Sequence, residues 1–169
     1  IETLIRDDDR EILLTSDGGN QDAALRLAQF VRDRDLTVRV RQFCLSACST
    51  YVLAMAPRGV VDPYTSVAFH HTAAWIIDTY AARANMPADT RWRAGSARER
   101  QAYRSAGLED TLLDRIAMAV EPTCLAVGRG LAGQRGRHER RYEWDIPDRS
   151  AARTIYGDRV TGYWPDDLQ

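Results

Sequence analysis

Apolar and polar positions change period repeatedly along the 169 residues, and each change marks an element. Ile1 to Asp9 reads as the tail of a helix ending in acidic residues. Glu11-Ile12-Leu13-Leu14-Thr15 is a short apolar strand that runs into Ser16-Asp17-Gly18-Gly19-Asn20, a turn with two residues free to take positive φ. Between Gln21 and Asp35 the residues Ala24, Leu25, Leu27, Ala28 and Val31 share one helical face, with Arg26, Arg32 and Arg34 off it. Thr37 to Phe43 alternates as a strand does, and Tyr51-Val52-Leu53-Ala54-Met55-Ala56 is apolar enough for a buried helix. Pro57-Arg58-Gly59 breaks the chain. Val60-Val61 begins a short strand, Asp62-Pro63-Tyr64 turns it, and Ser66 to His70 alternates as another.

Beyond His71 the periodicity weakens. Alanine and arginine dominate from Thr72 to Arg104, which predicts helix interrupted at Met86-Pro87. Leu108, Leu112, Leu113, Ile116 and Val120 give an amphipathic helix stopped by Pro122. The glycine- and arginine-rich stretch from Gly128 to Arg141 predicts a mobile loop. Ser150 to Tyr156 reads as a short helix, Gly157 as its stop, and Arg159-Val160-Thr161 as a final strand. Strand, glycine turn, helix and second strand compose a βαβ-type unit, so the expected fold is α/β with a largely parallel sheet. The length suits a single domain over residues 1–169.

Composition narrows the chemistry. The formal net charge of −1 gives no electrostatic reason to expect nucleic acid or an anionic membrane as partner. All 23 basic residues are arginine, so Ser–Lys dyads and Schiff-base mechanisms are both excluded. No apolar run approaches the roughly 20 residues of a membrane helix. The chain begins at Ile1, inside an element, so an upstream export signal or anchor is expected. The three cysteines do not form a disulfide scaffold. Cys44 can bridge Cys48 only if Cys44 lies outside the helix; Cys124 is the other possible partner. Neither Cys44 and Cys48 nor His70 and His71 have metal-ligand spacing, so no metal and no cofactor are expected.

Ser46 is the candidate nucleophile. It lies in Cys44-Leu45-Ser46-Ala47-Cys48, between a strand and a helix start, where a hydroxyl is exposed beside unpaired helix N–H groups that favour an anion. The plainer reading is a helix-capping serine. Ser49 is a rival nucleophile one turn on, and His70 or His71 is a candidate base at the end of a strand.

Taken together, Ser16-Asp17-Gly18-Gly19 after a strand, Ser46 among small residues, and His70 placed 24 residues later resemble the ClpP-like serine peptidases of the ClpP/crotonase superfamily. The Cys44 to Cys48 motif is similar to that of the mostly exported bacterial branch with a Cys-Xaa-Ser-Ala-Cys signature. Asp145, 12 residues before Gly157 in Tyr156-Gly157-Asp158-Arg159-Val160, has the spacing of that family's triad aspartate. The resemblance covers residues 11 to 71 well, 142 to 163 loosely, and the middle not at all.

The resemblance implies a ClpP/crotonase-like fold of repeated β-β-α units, its largely parallel sheet flanked by helices. It implies a peptidase acting on peptide or protein substrates through Ser46, His70 and Asp145, with Asp148 and Glu143 as alternatives for the third role. The backbone N–H groups of Gly19, in the Gly18-Gly19 turn, and of Ala47 would bind the oxyanion. It also implies homo-oligomers and a periplasmic or otherwise exported location. An acyl-thioester enzyme of crotonase type and a non-catalytic peptide-binding member of the fold are the alternatives. One departure is Asp17, where the family has proline; its charge disfavours a neighbouring oxyanion unless it faces solvent.

Overall fold

A computed structural model of the chain describes residues 5–69, 72–73, 90–119, 122–126, 138–142 and 146–164. Its strands are β1 (Glu11–Ser16), β2 (Thr37–Leu45), β3 (Arg58–Val61), β4 (Ser66–Ala68), β5 (Pro122–Ala126), β6 (His138–Tyr142) and β7 (Val160–Gly162). The main sheet runs β1-β2-β3-β7 with β4 against the second half of β2, and every pairing in it is parallel. The strand β2 changes neighbour along its length: Thr37–Val40 pair with β3, and Phe43–Leu45 pair with β4. The helices are α1 (Gln21–Asp33), a π-helical segment α2 (Cys48–Leu53), α3 (Thr90–Ser105), α4 (Thr111–Ala119) and α5 (Arg149–Tyr156).

Local chemistry sets these bounds. Asn20 caps α1, its side chain accepting from the Ala23 N–H at 2.9 Å, and Ala28 and Val31 on that helix are fully buried. Alternation in β2 sends Val38, Val40 and Cys44 into the core with Leu36, Leu53, Phe69 and Tyr103. Arg39 emerges on the opposite face, donating to Glu11 at 2.8 Å and to Asp62 at 2.8 Å. Asp148 caps α5 through the Ala151 N–H at 2.7 Å, and Gly157, at φ +62°, ends it.

Several expectations need correction. Residues 5–9 form a turn and coil, not the end of a helix: Asp9 accepts from the Arg6 N–H at 2.8 Å, and three consecutive aspartates would oppose a helix C-terminal dipole. Arg58-Gly59 does not break the chain but begins β3. A Cβ on Gly59 would lie 2.8 Å from both Leu53 Cδ1 and Val160 Cγ2, so this glycine lets neighbouring elements approach closely. Residues 138–141, expected in a mobile loop, pair antiparallel with β5, where the backbone ladder overrides a polar sequence. The expected helix from Leu108 begins at Thr111, as α4.

Candidate active site

The second half of β2 departs from ideal strand geometry before it reaches Ser46. Between Val40 and Cys44 the register with β1 slips, Gln42 takes φ +66°, and Thr15 Oγ1 donates to the Arg41 carbonyl across the irregularity at 2.7 Å. Ser46 itself has φ +56°, a left-handed conformation that costs a non-glycine residue about 1–3 kcal/mol and persists only where its surroundings enforce it. Here they do. The Ser46 N–H donates to the Ala68 carbonyl at 3.0 Å, and the Ser46 carbonyl accepts from Thr50 N–H at 2.8 Å as the helix begins. Ser46 is half-buried, and Ala47 stands in the first helical turn, where an N–H has no carbonyl four residues back.

The glycine turn comes up against this corner. A Cβ on Gly18 would lie 2.6 Å from the Leu45 carbonyl oxygen, 2.6 Å from Ser46 Cβ and 3.0 Å from the Ala47 nitrogen, so only glycine permits the approach. The Gly18 N–H is donated to Ser16 Oγ at 3.1 Å, leaving Gly19 as the glycine whose amide that hydroxyl does not take. A Cβ on Gly19 would point into open space, and its φ of +115° is again one that side chains rarely allow. Asp17 is solvent-exposed.

A disulfide joins Cys44, on the strand, to Cys48, at the helix start, with Cα atoms 5.3 Å apart; Ser46 is the middle residue of the loop it closes. The bridge exists because the junction holds Cys44 outside the helix. Ser49 is fully buried, with its hydroxyl 2.8 Å from the Ser46 carbonyl and 2.6 Å from the Ala68 carbonyl. A hydroxyl committed to two backbone acceptors and closed off from solvent is poorly placed to attack a substrate. Asp148, weighed as an orienting acid, is taken up in capping α5. His70, His71, Glu143 and Asp145 lie outside the described residues, as do the helix interruption at Met86-Pro87 and residues 128–137 of the expected loop. Among the described residues no three His, Cys, Asp or Glu side chains are placed to hold a metal, and no helix is long and apolar enough to cross a membrane.

Sequence reasoning missed a buried polar cluster beneath the corner. Glu99, on α3, has no exposed surface, and its Oε2 accepts from Tyr51 OH at 2.7 Å, from Gln21 Nε2 at 3.0 Å and from the Ala73 N–H at 3.3 Å. One turn on, Tyr103 donates to the Thr50 carbonyl. Burial, reinforced by the charge of Glu99, pushes the Tyr51 phenol well above its ordinary pKa, so it remains a proton donor. The signal was present in the spacing: Gly95, Glu99 and Tyr103 recur every four residues and form a buried stripe through an arginine-rich helix.

No family model matches the chain, and no curated protein matches it. Among solved structures, a point mutant of ClpP1 from Listeria monocytogenes is similar at a TM-score of 0.46 and 15% identity, covering 94% of this chain and 76% of its own. A likeness of that degree carries no argument; the functional reading rests on the geometry of the Ser46 corner.

Proposed function

We propose that the chain is a serine hydrolase of peptidase type. In this reading Ser46 Oγ attacks a carbonyl carbon while His70 accepts the hydroxyl proton, and Asp145 orients the imidazole. The N–H groups of Gly19 and Ala47 bind the tetrahedral oxyanion, a contribution of about 3–4 kcal/mol per donor in enzymes of this chemistry. The intermediate collapses as His70 passes the proton to the leaving amine, giving an acyl-Ser46 ester that water then hydrolyses. A peptide or protein is the substrate and a homo-oligomer the working form.

The observation that carries this reading is the left-handed Ser46 at the strand-to-helix corner, with Gly18 packed against its Cβ. A serine that merely capped a helix would have extended backbone, and nothing would require a glycine against it. The disulfide around Ser46 supports an exported location, because such bridges persist in oxidising compartments.

The test is intact-mass analysis after treatment with a fluorophosphonate, followed by peptide mapping. One adduct is expected, on Ser46, and none on a folded Ser46→Ala variant. A label that survives in that variant, or no label on the wild type, overturns the assignment.

A further inference from the structure

A fully buried carboxylate is costly unless its oxygens are bonded, and the donors that satisfy Glu99 come from three separate segments. Gln21 follows Gly19 by two residues, Tyr51 follows Ser46 by five, and Ala73 follows His70 by three. One carboxylate oxygen therefore reaches the chain just beyond each of the three pieces from which the proposed site is built. The donors also meet one another, since Gln21 Nε2 donates to Tyr51 OH at 3.1 Å. Gly95, one turn before Glu99, allows the approach: a Cβ there would stand 2.9 Å from Gln21 Oε1.

We infer that Glu99 is a positioning residue for the Ser46 site, fixing the glycine turn, the nucleophile helix and the segment after His70 relative to one another. In that role it acts through the elements it holds, not on the substrate. The inference rests on the serine-hydrolase reading, and it explains why a charged side chain occupies a core position where an apolar residue would pack without desolvation. Reactivity at Ser46 depends on sub-ångström placement of groups on different elements, so loosening their common tether lowers reactivity before it unfolds the protein.

The variant Glu99→Gln keeps the shape and one acceptor oxygen but removes the charge that strengthens the three hydrogen bonds and replaces the other oxygen with an NH2 donor. Its thermal midpoint and its fluorophosphonate inactivation constants, kinact and KI, are measured well below that midpoint and expressed per folded molecule. The expected result is a kinact reduced tenfold or more, a KI within twofold of wild type, and the adduct still on Ser46. Tyr51→Phe, which removes one donor, should lower kinact severalfold, and the double variant should be no slower than Glu99→Gln alone. A wild-type kinact per folded Glu99→Gln molecule makes Glu99 a stability element only and overturns the inference while leaving the Ser46 reading intact. An unlabelled wild-type protein overturns both. If Glu99→Gln does not fold, Tyr51→Phe is judged by the same criterion: a wild-type kinact in that variant overturns the inference.

Discussion

The two halves of β2 are built on different terms. Thr37–Val40 sit between parallel neighbours on both sides, in even register, with Val38 and Val40 fully buried and Arg39 turned outward to Glu11 and Asp62. Phe43–Leu45 follow a register slip, exchange β3 for β4 as a partner, and lead into a left-handed Ser46 inside a disulfide-closed loop. The first half is what burial and pairing produce with no further demand. The second is flanked by two non-glycine residues, Gln42 and Ser46, at positive φ, and such strain survives only where surrounding contacts outweigh it. The contrast shows where this molecule spends stability: at the corner, with the even half of the same strand as the anchor.

Substitutions should separate the halves. The largest stability effect is expected from Gly18→Ala, whose Cβ would overlap the Leu45 carbonyl and Ser46. With backbone on both sides unable to yield, a loss of about 3 kcal/mol is expected in chemical denaturation, together with loss of labelling at Ser46. Gly19→Ala meets open space and should cost only the conformational term, about 1 kcal/mol. If the two cost the same, close packing is not what selects glycine at position 18.

In the even half, Val38→Ala should cost about 2 kcal/mol of stability through lost burial and the cavity left behind. It should leave the labelling rate per folded molecule unchanged. A slower rate in that variant would mean that the halves are not separable.

The smallest effect concerns the ion network on the outer face. Hydrogen bonds from Arg39 and Arg41 hold the Asp62 carboxyl below the ordinary aspartate range. A depressed folded-state pKa contributes stability that is complete above the unfolded value of about 3.9 and is lost as pH falls through the folded value. Asp62→Asn should therefore flatten the stability curve below about pH 4 and leave its slope near neutrality alone. An unchanged acid limb would show that the network contributes nothing measurable.

Much of the first half of the chain was legible in the sequence. The strand at Glu11, the turn at Gly18-Gly19, the helix from Gln21 and the junction at Ser46 all follow from local periodicity and glycine placement, which nearest neighbours decide. Residues 138–141 read as loop because their strand character depends on partners 12 to 18 positions earlier in the chain. Glu99 does not stand out in an alanine- and arginine-rich helix because its burial depends on Gln21, Tyr51 and Ala73, none of them near it in sequence.

The sequence by itself determined the α/β class, the parallel strands around the first helix, the absence of any lysine mechanism, and the candidacy of Ser46; each rests on residue type and short-range order. Only the tertiary structure decided that Cys44 bridges Cys48, that Ser49 is fully buried while Ser46 is only partly so, that Gly18 packs against the corner, and that a buried carboxylate gathers three distant segments. The reason is physical. Backbone propensity acts over a few residues, whereas burial, close approach and hydrogen-bond satisfaction are properties of what the rest of the chain brings to a position.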